Sequence, residues 1–194
     1  MRPKSLALIA AAMFCAMSLR VAADALDGLL EVVAAYVDLD HSVSQVHARI
    51  EYPNTPAIRE ALGDGVTLAF DVEARVTRDR RLWFDSVVDD VTLRRELAYH
   101  TVSDRYVVRA VPGADQAGSE QHSFTTLDEA LDYLGKVDGW PILVESQLAR
   151  GEHYHVSVRA GIRRGHLPAS LRTLLFWKDD WHRVSGWFTW TLRR

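Results

Sequence analysis

From Val66 onward every second residue is apolar. Val66, Leu68, Phe70, Val72, Ala74 and Val76 alternate with Thr67, Asp71, Glu73, Arg75 and Thr77, and only Ala69 breaks the polar set. Successive side chains of an extended chain point to opposite faces, so the pattern predicts a long strand buried on one side and wet on the other. The alternation returns at Val46, Ala48, Ile50 and Tyr52, and again at Tyr154, Val156, Val158, Ala160 and Ile162. It also marks Leu93, Leu97 and Tyr99, where Arg95 interrupts it. A first strand is expected over Leu30 to Val37, and a last one through Val184, Phe188, Trp190 and Leu192. One-sided alternation belongs to antiparallel sheets, because parallel strands buried on both faces read as unbroken apolar runs.

Turn chemistry agrees. Asp38-Leu39-Asp40-His41-Ser42 connects the first strand to the one around Ile50, and Ser103-Asp104 closes a hairpin between Leu97 and Tyr106. Two short helices interrupt the strands. Thr55-Pro56 supplies a cap and a first-turn proline for a helix that buries Ile58, Ala61 and Leu62 and stops at Gly63. Thr126-Leu127-Asp128-Glu129 has the form of a capping box, and Leu127, Ala130, Leu131 and Leu134 share one face before Gly135. The expected class is mainly β, an α+β chain with two short helices, built as an antiparallel β-sandwich or a strongly bent antiparallel sheet.

The start of the chain reads differently. Arg2 and Lys4 precede an apolar or small run from Leu6 to Leu19, and Val21-Ala22-Ala23-Asp24-Ala25 follows Arg20. These are the marks of a secretory signal peptide, cleaved after Ala23 or after Ala25. The expected organisation is a leader over 1–25 and a single β-rich domain over 26–194. The competing reading is an uncleaved membrane anchor, but a span takes about 20 apolar residues and this run stops at Arg20. Met13 and Phe14 stand before Cys15, where a lipoprotein signal needs small residues.

Cleavage changes the chemistry available. Cys15 is the one cysteine in 194 residues, so the exported chain would have none for disulfides, thiolate zinc sites or cysteine nucleophiles. A cut after Ala23 removes Arg2, Lys4 and Arg20 from the 23 basic residues and none of the 26 acidic ones. A cut after Ala23 leaves a net charge of about −6, which repels nucleic acid and anionic membrane surfaces. No stable membrane span is expected after cleavage.

Candidate reactive groups are few. His153 and His155 fall on one strand face, as a zinc pair would, but that face is the wet one and carries Ser157 and Arg159. Two solvated strand histidines are the preferred reading, and a metal-dependent hydrolase using them is the alternative. Asp38 to Ser42 begins like a calcium loop, yet Val43 stands where glycine is needed and Arg49 where a bidentate glutamate belongs. Arg78, Arg80 and Arg81 with Trp83 combine guanidinium groups and an aromatic ring, the best candidate anion or ligand site. A strand end capped by arginines, with Trp83 in the core, is the competing reading. His100 is expected to be an ordinary sheet residue. Four of six tryptophans (Trp177, Trp181, Trp187, Trp190) cluster near the end, and Trp187 falls on the face opposite Trp190, which makes it a candidate partner surface. No nucleophile elbow, His-Glu-x-x-His or phosphate loop is present, and no cofactor is expected.

The ordered set of local motifs resembles a known family. It runs from Glu60-Ala61-Leu62-Gly63-Asp64-Gly65-Val66-Thr67-Leu68 through Arg78-Asp79-Arg80-Arg81-Leu82-Trp83-Phe84, Leu97-Ala98-Tyr99-His100 and Arg105-Tyr106. It continues at Ser123-Phe124, Leu127-Asp128-Glu129-Ala130-Leu131 and Leu167-Pro168, and closes with Asp180-Trp181-His182 and Ser185-Gly186-Trp187. This is similar to the proteobacterial exported proteins grouped as domain-of-unknown-function family 4390. The resemblance implies a Gram-negative periplasm and an accessory role beside an inner-membrane sensor kinase or another envelope protein. It supplies no activity, cofactor or catalytic residue. The expectation is a non-enzymatic binding or accessory domain.

Overall fold

The computed structural model describes residues 28–79, 86–111, 120–144, 148–149, 151–165 and 181–192. The expected leader over 1–25 lies outside the described residues, as do Arg80, Arg81, Trp83 and Trp177.

Among the described residues ten strands and two helices follow in order. Strands β1 (Glu31–Asp40) and β2 (Val43–Glu51) form a hairpin whose turn residues His41 and Ser42 have φ of 46° and 69°. Positive φ at both central residues is the turn twist that keeps hairpin strands paired. Helix α1 (Pro56–Gly63) starts where Thr55 accepts from the Ile58 N–H at 3.2 Å, and buries Ile58, Ala61 and Leu62. Next come β3 (Leu68–Arg78), β4 (Ser86–His100), β5 (Arg105–Ala110) and β6 (Gln121–Phe124). Helix α2 (Leu127–Leu134) has the full capping box: the Thr126 hydroxyl accepts from Glu129 N–H, and the Glu129 carboxylate from Thr126 N–H, each at 3.2 Å. Strands β7 (Lys136–Val144), β8 (Tyr154–Arg164), β9 (His182–Val184) and β10 (Phe188–Leu192) complete the chain.

All pairings are antiparallel. A three-stranded sheet runs β1-β2-β7, and a seven-stranded sheet runs β10-β8-β3-β4-β5-β6 with β9 also on β8. The described residues are therefore mainly β, in two open sheets with two short helices. The inner face of the large sheet contributes Phe70, Val72 and Val76 from β3, Val156, Val158 and Ile162 from β8, and Leu97 from β4. The small sheet answers with Val46, Ile50, Val137 and Trp140, and the helices add Ile58, Leu62 and Leu134. Strand β1 lies against β8 and β10 at one end, and β7 against β4 at the other.

The wet face of the large sheet is laced with ion pairs. Asp71 accepts from Arg94 at 2.7 Å and Arg163 at 2.9 Å, Glu73 from Arg159 at 2.7 Å, and Asp90 from Arg75 at 2.7 Å. Each acid sits one strand from its arginine, the spacing at which cross-strand pairs meet.

Beyond the short β6, which the alternation does not mark, two features differ from the sequence reading. The expected last strand is two strands. Val184 pairs with Gly161 while Phe188 pairs with Val158, so four steps on the outer chain match three on β8. Ser185 holds the break, bonding the Ala160 backbone through its own N–H at 2.8 Å and its hydroxyl at 3.0 Å. One extra residue turns every later side chain over, which is why Val184 is exposed while Phe188 and Trp190 pack on the core. Strand β7 is the other difference, because Gly139 (φ 64°) and Pro141 break its alternation. As an edge strand, β7 tolerates a residue without an N–H.

Candidate functional site

The two sheets do not close against each other beside α2. Between β4, β5 and β7 they leave a cleft of about 400 Å³. Its apolar walls are Leu93, Val108, Trp140 and Pro141. Its polar lining includes Arg95, Lys136, Tyr133 and the rim residues Glu120, His122 and Asp138.

Arg95 is the residue that shapes this space. On β4 it occupies the inward register between Leu93 and Leu97 and pairs across from Phe70. An arginine at a core position needs partners for its donors. It donates Nη1 to the Tyr133 carbonyl at 3.2 Å and Nη2 to the Lys136 carbonyl at 3.0 Å. These carbonyls lie at and just past the end of α2, where helical C=O groups lack intrahelical donors and the dipole favours a cation. The guanidinium also stands 5.7 Å from the centre of the Tyr133 ring. Burial holds the Arg95 pKa below its ordinary value, although the surrounding Tyr52, Tyr133, Glu120 and Asp138 act in the opposite sense.

Around it the aromatic groups form a layer. Tyr133 packs against His122 at 4.6 Å and Phe124 at 5.2 Å between ring centres. Burial and the Glu120 carboxylate raise the Tyr133 phenol above its usual range. Tyr52 meets the edge of Phe70 at 4.9 Å, and its buried hydroxyl has no hydrogen-bond partner among the described residues. Burial raises that phenol as well, against the pull of Arg95. The lining residue Lys136 is held by Asp132, which lies between Arg49 and Lys136 at 2.5 Å from each.

The match to known families decides what this chain is related to. The model of a family described as a domain of unknown function, DUF4390, matches residues 29–191. The chain belongs to DUF4390. No curated protein and no solved structure matches it. No helix among the described residues of this DUF4390 chain is long and apolar enough to cross a membrane.

The residues singled out by sequence lie elsewhere. Arg78 ends β3, half-buried, opposite Ser86 and Tyr154. Its expected companions Arg80, Arg81 and Trp83 fall outside the described residues. Trp187 does reach the outer face, 37% exposed, but Arg159 and Arg75 stand over its ring at 4.5 and 4.9 Å. His155 brings Nε2 to 3.0 Å from Asp79 and Nδ1 to 3.4 Å from the Thr191 hydroxyl. His153 is exposed just before β8. Among the described residues no three His, Cys, Asp or Glu side chains gather as metal ligands. His100 is exposed at the end of β4.

Sequence reasoning did not single out the cleft. Its clearest trace is Arg95, the charge that interrupts an inward apolar register. Trp140 was hidden between Gly139 and Pro141, and Tyr133 sits on a helix whose apolar face is accounted for without it.

Proposed function

We propose that this DUF4390 chain is an exported binding domain of the proteobacterial envelope, with the cleft between its two sheets as the binding site. The observation that carries the reading is the cleft itself: an open space with apolar walls onto which Arg95, Lys136 and Tyr133 converge. Concave, largely apolar sites with a few oriented polar groups are where ligands are commonly held. The leader pattern supports export to the periplasm, with cleavage after Ala23 or Ala25. In that compartment the domain serves as an accessory to envelope sensing by a membrane sensor kinase.

Two experiments on the producing cell test this. The mature protein should begin at Asp24 or Leu26 and partition with the periplasm; an intact leader on a cytosolic protein contradicts export. A photo-crosslinking residue at exposed Pro141, on the cleft rim, should yield a defined adduct that the same residue at exposed Glu60 of α1 does not. Identical adducts, or none, at both positions contradict the binding site.

A further inference from the structure

Resting on that reading of the cleft, we propose that its ligand is a carboxylate on an apolar body, the carboxylate facing Arg95 and Lys136 and the body lying along Leu93, Val108 and Trp140.

The charge of the cleft favours an anion. On the outer face Arg75, Arg94, Arg159 and Arg163 each reach an acid. Arg95 does not: among the described residues no carboxylate stands within ion-pair distance of it, and its two hydrogen bonds go to neutral carbonyls. A guanidinium has five N–H donors, so it retains donor capacity beyond those two. A partly buried cation without a counter-ion is costly, and an incoming anion relieves that cost.

Lys136 adds a second cation to the lining. Its ammonium shares the single carboxylate of Asp132 with Arg49, so two cations stand on one acid and this trio, of which Lys136 alone lines the cleft, keeps a surplus positive charge. The acids that could cancel it are on the rim and in water: the Glu120 and Asp138 side chains are 72% and 83% exposed. Glu120 is further engaged by His122 at 2.9 Å and Asp138 by His47 at 3.5 Å. Water and salt screen exposed charges more than buried ones, so Arg95 dominates inside.

Shape and chemistry narrow the class. Guanidinium and carboxylate match in plane, spacing and charge, with two parallel hydrogen bonds available to them. The apolar walls favour a body that gives up little hydration. A cleft of about 400 Å³ lies within the range of small-molecule sites. Such a carboxylate can belong to a free organic acid or to the C-terminus of a peptide with an apolar last residue.

The test is a heteronuclear NMR titration of the purified protein with four compounds. These are 3-phenylpropanoate, its uncharged isostere 3-phenylpropanamide, and acetyl-Gly-Gly-Phe with a free or an amidated end. The expected result is shifts at Arg95, Tyr133 and Trp140, with an acid bound at least about ten-fold more tightly than its amide. Preference for 3-phenylpropanoate identifies a free acid, and preference for the tripeptide acid a chain end. Arg95→Gln is the direct variant but loosens the end of α2. Lys136→Gln keeps that clamp, which uses the Lys136 carbonyl, and should weaken the acid about three-fold or more while leaving the amide unchanged. Acid and amide bound equally well in the cleft would overturn the charge preference and leave the site standing. No shift at these residues with any compound also overturns the inference, whereas the cleft reading itself stands or falls on the Pro141 adduct.

Discussion

Arg95 touches Tyr133 twice, donating to its carbonyl at 3.2 Å and standing 5.7 Å from the centre of its ring. A single side chain of β4 thereby anchors the last turn of α2, and the cleft takes its shape from that anchor. Arg95→Met should leave the carbonyls of Tyr133 and Lys136 short of a donor and lower stability by about 1–3 kcal/mol. Urea unfolding measures it. A variant as stable as the wild type would mean that the arginine is not the anchor.

Gly135 lies against the backbone of β2. Its carbonyl accepts from Ile50 N–H at 2.8 Å, and a Cβ placed on it would sit 2.2 Å from the Ile50 carbonyl oxygen. Backbone cannot swing aside as a side chain can, so Gly135→Ala should cost about 1–3 kcal/mol or more. Gly63 is the control, since a Cβ there meets nothing within 4 Å. Gly63→Ala should be neutral or stabilise by up to about 1 kcal/mol. Equal thermal midpoints for the two variants would contradict the close approach.

The Tyr52 hydroxyl is buried with no partner among the described residues, while its ring rests on Phe70. Removing an unsatisfied buried polar group relieves a desolvation cost without losing a hydrogen bond. Tyr52→Phe should therefore keep or raise the melting temperature. A fall worth more than about 1 kcal/mol would reveal a hydrogen bond from this hydroxyl.

Asp71 governs the acid response of the outer face. Burial alone would raise its pKa, but the bonds from Arg94 and Arg163 outweigh that and hold it below the usual carboxylate value. A carboxyl with a lowered folded-state pKa contributes stability that is complete above its unfolded value near 4, and the contribution is lost as pH falls through the folded value. Urea midpoints should thus drop below about pH 4, and Asp71→Asn should be less stable at pH 7 and flatten the fall. An unchanged acid limb in the variant would place the effect elsewhere.

Much of the fold is legible in the chain because its signals are local. Alternation from Leu68 to Val76, the Thr55-Pro56 start of α1 and the reciprocal Thr126–Glu129 cap each involve neighbours within one element. The slip at Gly186-Trp187 is different, since it depends on where Ser185 bonds to Ala160 on another strand. Strand β7 is held to β2 despite Gly139 and Pro141, so pairing overrides a local pattern that reads as a turn. The cleft is harder still. It gathers Leu93, Arg95, Tyr133 and Trp140 from three elements, and only the charge at an inward position betrays it.

The most direct test of the account follows the indole signals of Trp140 and Trp187, assigned by substitution, as isotope-labelled protein meets an envelope extract of the producing cell. The cleft predicts that the Trp140 signal moves and that of Trp187, between Arg75 and Arg159 on the outer face, stays. Movement of Trp187 with Trp140 unchanged would contradict it.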